Sequence, residues 1–167
     1  MTPERWLPIA GYEGFYEVSD LGRVRSLDRV VIERGGKARP MRGRILKPSR
    51  YLDGYLIVSL CNDRHHTRAV HDLVARAFHG EPAPGQQVCH FDGDKTNNLA
   101  ANLRWDTQSA NNLDAVRHGT HGMAVRTHCP QGHEYSTGNT YVRRGRNCIK
   151  CHRAADRRYR DRKRAAA

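Results

Sequence analysis

Residues 88–112 read "VCHFDGDKTNNLAANLRWDTQSANN". The stretch is polar enough for a plain loop, yet Val88 and Phe91 frame it on one side and Leu103 and Trp105 on the other. Apolar brackets of this kind predict a strand at Val88–Phe91, a turn through Asp92, Gly93 and Asp94, an Asn-rich loop and a second strand at Leu103–Trp105. Asp106 or Thr107 then N-caps a helix that Gly119 ends. Just upstream, Val70, Leu73, Val74, Ala77 and Phe78 recur at helical spacing until Gly80 and Pro82 stop the run.

The polar residues inside this frame are the ones phosphodiester hydrolysis needs. A base must activate water, a divalent cation must stabilise charge gathering on the phosphate, and the leaving 3′ oxygen needs a counter-charge. A β-hairpin packed on one helix can supply all three. His90 lies twelve positions before Asn102, and Asn111 follows nine further on, early in the expected helix. An Asn side chain offers a carbonyl oxygen, a ligand type that a hard cation such as Mg²⁺ accepts. Asn97 and Asn98 read as turn formers with hydrogen bonds to the loop. Trp105 reads as core, His71 as a structural hydrogen-bonder, and His118 and His121 carry no assignment.

At these residues the chain resembles the HNH endonucleases of phages and mobile introns, in the His-Asn-Asn version of their ββα-metal (His-Me finger) motif. The resemblance is carried by "HFDGDKTNNLAANLRWDTQSAN", with Trp105, Thr107, Ser109 and Asn111 all in place, and by "VHDLVARAFHG", similar to the family's lead-in helix with His71 at its usual position. "WLPIAGYEGFYEVSDLGRVRSL" resembles the small modular DNA-binding segment often found ahead of such nucleases. The resemblance implies that His90 is the general base, that Asn111 is a ligand to one catalytic Mg²⁺ or Mn²⁺, and that Asn102 braces the loop and orients the histidine. One position departs: Cys89 stands where the best-understood His-Asn-Asn members carry an acidic metal ligand. Either Cys89 binds a softer metal, or Asp92 or Asp94 replaces it, or waters and phosphate complete the shell.

The flanks add two modules. Residues 5–62 hold short β-rich pieces punctuated by glycines, Tyr16–Ser19 and Gly22–Leu27 among them, with Asp53-Gly54 as a hairpin turn before an alternating Tyr55–Leu60. Residues 33–44, "ERGGKARPMRGR", read as a basic loop suited to a phosphate backbone or to solvent. At the other end, Cys129-x₃-His133 and Cys148-x₂-Cys151 form a closed Cys₃His set of the type tetrahedral Zn²⁺ prefers, a structural site with no open position, with His128 and His152 flanking it as alternative ligands. This part is similar to the zinc-ribbon tails of phage HNH proteins. A basic helix from about Ala154 follows. The formal charge is +12, and Arg143 to Arg164 holds eleven Lys or Arg against Asp156 and Asp161, so most of the excess sits at this end. Such a tail suits a polyanion, with Arg143, Arg144, Arg146, Arg157, Arg158 and Arg162 as the expected phosphate contacts.

No apolar run approaches the roughly 20 residues of a membrane span, the start lacks a signal peptide's apolar centre, and five cysteines in an intracellular protein argue for metal or free thiols over disulfides. The expectation is a cytoplasmic α+β nuclease, in the host cytoplasm if phage-encoded. A β-rich DNA-binding module at 5–62, an HNH core at 65–122 and a zinc ribbon with basic tail at 126–167 would grip double-stranded DNA and nick one strand as a monomer or weak dimer. The rival reading is a DNA-binding or phage packaging-accessory protein, working with packaging proteins, whose nuclease site Cys89 has weakened.

Overall fold

Short stretches between glycines fold here as small antiparallel sheets. The computed structural model describes residues 3–33, 35–62 and 64–166, and divides the chain into two units, Met1–His118 and Gly119–Ala167. The first unit opens with β1 (Trp6–Pro8), β2 (Tyr16–Ser19) and β3 (Val24–Ser26), paired in that order. β4 (Arg29–Ile32) and β5 (Ala38–Met41) form a hairpin. The basic stretch read as a loop is therefore this hairpin's tip and second strand; Arg34 lies outside the described residues. Val30 and Ile32 are exposed, so backbone pairing rather than burial holds the ribbon.

β6 (Ser49–Arg50), β7 (Leu56–Cys61) and β8 (His65–Ala69) form a second antiparallel sheet. β8 runs directly into α1 (Val70–His79), which ends at Gly80 with φ 76°. Then come β9 (Gln86–His90), a 3₁₀ turn at Ala100–Asn102, β10 (Leu103–Thr107) and α2 (Gln108–Arg117). β9 and β10 pair antiparallel with His90 opposite Leu103 and Cys89 opposite Arg104. Strand, loop, strand, helix is the ββα order expected, in an α+β fold.

Val18 and Val24 of the first sheet, Leu60 of the second, Leu73 and Val74 of α1, and Leu103 of β10 belong to one buried cluster. The cluster thus draws on residues both before position 62 and after position 65, and β7 and β8 pair across that expected boundary. Tyr16 fastens the two sheets: its buried hydroxyl donates to the carbonyl of Cys61 and accepts from the Cys61 N–H, both at 3.2 Å. Trp105, expected in the core, is half-buried; its indole N–H donates to the Gly80 carbonyl at 2.9 Å and closes the end of α1.

The second unit has a 3₁₀ turn at Thr137–Asn139, the hairpin β11 (Thr140–Val142) and β12 (Arg146–Cys148), and α3 (Ile149–Ala165). α3 begins five residues before the basic helix expected at Ala154, because Cys151 lies in its first turn. No residue of α3 is buried. Among the described residues no helix is long and apolar enough to cross a membrane.

Candidate active site

His90 closes β9 and is buried, 7% exposed. Its Nε2 lies 3.1 Å from Oδ1 of Asn98, itself 4% exposed. Its ring stands edge-on to His71 with centroids 5.5 Å apart, and 5.9 Å from Tyr55, which also touches His71. Burial, and secondarily the nearby His90, draws the pKa of His71 down to about 4, and Nδ1 of His71 has no partner. At neutral pH His71 is therefore an uncharged wall of the site.

After His90 the chain turns through Asp92 and Gly93, and Asn102 ties that turn to the second strand. The Asn102 side chain accepts from the Asp92 N–H at 3.2 Å and donates to the Asp92 carboxylate and the Asn97 carbonyl, both at 2.9 Å. Asn97 donates to the same carboxylate at 2.6 Å. Desolvation acts the other way, but these bonds and the Asp94 N–H hold Asp92 below the usual carboxylate range. Asp94 is likewise lowered, by the Thr96 N–H and hydroxyl. Both acids proposed as stand-ins at position 89 are thus bonded within the loop. His118, the C-cap of α2, lies so close to Gly93 that a Cβ there would come within 2.7 Å of its Nδ1.

Asn111 sits in the first turns of α2, whose N-cap Thr107 accepts from the Ala110 N–H at 3.2 Å. It is half-buried and lies one turn before Asp114, on the same helix face. Asp114 is buried and ion-paired to Arg104 and, at 3.0 Å, to Arg117; Arg104 also pairs with Asp106 at 3.0 Å. Cys89 alternates with His90 along β9, so its side chain takes the other face. There it is 1% exposed and feels Arg104, Asp106 and Asp114. Burial pushes its thiol pKa up. The site therefore joins His90, Asn98 and Asn102 through one hydrogen-bonded loop, and sets Asn111 across the hairpin with no hydrogen bond to His90 among the described residues.

Of the residues named for a hard cation, Asn111 fits, since it offers a neutral carbonyl oxygen. Cys89 does not: a buried thiol kept protonated is a poor ligand for Mg²⁺ or Mn²⁺. The four C-terminal ligands do fit zinc. The donor atoms of Cys129, His133, Cys148 and Cys151 all lie within 4.8 Å of one another. The Cys129–Cys151 sulfurs are 3.6 Å apart, and Nδ1 of His133 is 3.3 Å from Cys151 and 3.8 Å from Cys148. Those are the edges of a tetrahedron with arms of about 2.0–2.3 Å. Although burial opposes it, hydrogen bonds from the Cys151 backbone and from Asn139 lower the Cys148 thiol to about 6.

Arg143, Arg144, Arg157, Arg158 and Arg162 are exposed. Arg146 is turned inward: its guanidinium donates to the carbonyls of Met123, at 2.6 Å, and Arg126, and stacks on Tyr135 at 4.4 Å. It ties β12 to the segment before the first candidate zinc ligand. The Asn98 contact, the packing of Tyr55 and the Arg104–Asp114 pair have no counterpart in the sequence reading; the i, i+3 spacing of Asp114 from Asn111 is the one local signal for any of them.

Comparison with known proteins bears on the whole first unit. The HNH endonuclease family model matches residues 68–113, and the NUMOD4 motif matches residues 4–61. Over residues 68–113 the chain is similar to the HNH endonucleases. DNA endonuclease I-HmuI of Bacillus phage SP01 is 38% identical over 116 residues, 69% of this chain and 59% of that protein. The uncharacterized HNH endonuclease L245 of Acanthamoeba polyphaga mimivirus is 30% identical over 139 residues, 83% of this chain and 36% of its own length. A solved structure titled for DNA binding and cleavage by the HNH homing endonuclease I-HmuI matches with a TM-score of 0.55 and 39% identity, covering 70% of this chain and 60% of that one. The chain thus spans about three fifths or less of the length of these HNH relatives.

Proposed function

We propose that this HNH protein is a metal-dependent DNA endonuclease that nicks one strand of duplex DNA, with His90 as general base. The observation that carries the reading is the hydrogen bond between His90 Nε2 and the amide oxygen of Asn98. An amide oxygen only accepts, so Nε2 bears the proton and Nδ1 keeps the lone pair that takes a proton from water. Asn102 fixes the turn after His90, and neutral His71 keeps a second positive charge away from the base. A divalent cation, when bound, supplies charge for the phosphate and leaving oxygen; Asn111 would hold it, with waters and phosphate oxygens filling the shell. One base and one cation per chain serve one strand per visit. We assign Zn²⁺ to the Cys₃His group, and phosphate binding to Arg143, Arg144 and the α3 arginines, a sequence-independent grip.

Plasmid nicking with Mg²⁺ or Mn²⁺ tests the reading. Wild type is expected to convert supercoiled to open-circular DNA, and His90→Ala to bind DNA without cutting it. The buried, protonated thiol of Cys89 favours a second reading, a DNA-binding protein with a weakened site. Binding without cutting by wild type and variant alike selects it.

A further inference from the structure

We propose that the turn between β2 and β3, in the NUMOD4 segment, is a positioning element of the nuclease site. It holds Asn98, and Asn98 holds His90. The proposal rests on the reading of His90 as the base.

Three observations converge on residues 98–100. The Ala100 N–H donates to the Asp20 carbonyl at 2.8 Å. Gly22, at φ +77°, lies so close that a Cβ there would meet the carbonyl oxygen of Asn98 at 2.8 Å and its carbonyl carbon and Cβ at 3.0 Å. On the other side, Nε2 of His79 at the end of α1 is 2.8 Å from the Ala100 carbonyl. The loop segment is gripped between a turn some eighty residues earlier and the lead-in helix.

The turn is itself rigid. Ser19 is fully buried; its hydroxyl accepts from the Arg23 N–H at 3.0 Å and its carbonyl from the Gly22 N–H at 3.1 Å. The Asp20 carboxylate accepts from the backbone and side chain of Arg5, at 3.1 and 3.3 Å. Val18 and Val24, on the two strands it joins, lie in the same buried cluster as Ala100 and Leu103.

Asn98, by contrast, is held mainly by shape. Its Nδ2 is buried without a partner, so one of the few polar constraints on its amide is the bond to His90. A side chain set by packing moves when the packing moves. Displacing Asn98 by part of an ångström turns the imidazole and its Nδ1 lone pair, the kind of misplacement that costs up to about 100-fold in rate without touching substrate affinity.

The test is cleavage kinetics of the full chain, with DNA affinity measured in EDTA. Gly22→Ala is expected to lower kcat by about 10- to 100-fold with KM and DNA affinity within about twofold. Gly85→Ala imposes the same kind of backbone strain, at φ +82°, but has nothing within 4 Å of its added Cβ, and leaves kcat unchanged. Gly22→Asn keeps the intruding Cβ on a residue type that tolerates positive φ, and lowers kcat even where Gly22→Ala melts too early to assay. Asn98→Ala lowers kcat, Asn98→Asp restores part of it by returning an acceptor oxygen, and Gly22→Ala adds nothing on top of Asn98→Ala, because both act on one contact. Full kcat in both Gly22 variants, additive losses in the double variant, or losses confined to KM would overturn the positioning role. Undiminished cutting by His90→Ala is a separate failure, that of the base assignment.

Discussion

Burial of a titratable ring beside the candidate base has a consequence for pH. His71 ordinarily titrates at 6.5 and here near 4. Below 6.5 the unfolded chain takes up a proton on this residue that the folded chain refuses until about 4. The stability tied to a neutral His71 is therefore complete above 6.5 and drains away as pH falls toward 4, by roughly 1–3 kcal/mol. Thermal melts from pH 7 to 4 should show a falling Tm, and His71→Phe, which keeps an aromatic ring against Tyr55, should shrink that fall. An unchanged slope in the variant rules this out. Asn111 bears on the cation instead. Because it is the proposed ligand, its loss would weaken cation binding more than chemistry, so Asn111→Ala should cut poorly at low Mn²⁺ and recover partly as Mn²⁺ rises. No recovery at any concentration removes Asn111 from the ligand set. Single residues were unevenly legible in the sequence. His90, Asn102 and Asn111 stand out by type and spacing, whereas Asn98 is indistinguishable there from its neighbour Asn97. What separates them is burial beneath Gly22 and Asp20, a long-range fact that no local pattern carries.

At the scale of elements, α2 brings Asn111 to the hairpin, and its first turn depends on one cap. Thr107 satisfies the Ala110 N–H, which water would otherwise have to meet. Thr107→Ala should cost about 1 kcal/mol in stability. Its cost in cleavage should be larger at limiting Mn²⁺, because the frayed turn is the one carrying Asn111. Thr107→Ser restores both. A calorimetric scan paired with nicking rates checks this, and equal proportional losses at low and saturating Mn²⁺ would count against it. Elements with a one-sided apolar pattern were readable: α1 keeps Val70, Leu73 and Val74 on its buried face and stops at Gly80. β8, "HHTRA", was not, since its exposed residues leave no alternation and only pairing with β7 makes it a strand. The β4–β5 ribbon failed for the same reason, its Val30 and Ile32 pointing to solvent.

Taken whole, the two units are stabilised by different means, and this decides how each responds to loss of metal. Unit Met1–His118 has an apolar core running from Ile9 to Leu103. Among the described residues of 119–167 the buried side chains are Cys129, Cys148 and Asn139, two candidate zinc ligands and the amide that bonds one of them. Hydrophobic burial there is too small to fold the segment, and α3 has no buried face to anchor it. Metal-binding free energy becomes the folding free energy of such a segment. Chelating zinc should therefore abolish the α3 helical signal in circular dichroism and leave the main melting transition of the first unit in place. DNA affinity should fall together with its salt dependence, because a disordered chain presents the same arginines at a higher entropic cost. Replacing Cys148 by Ser should reproduce both effects without a chelator. If α3 keeps its helicity in either case, the cysteines are not what folds it; if helicity is lost while DNA affinity holds, the grip on DNA belongs to the first unit.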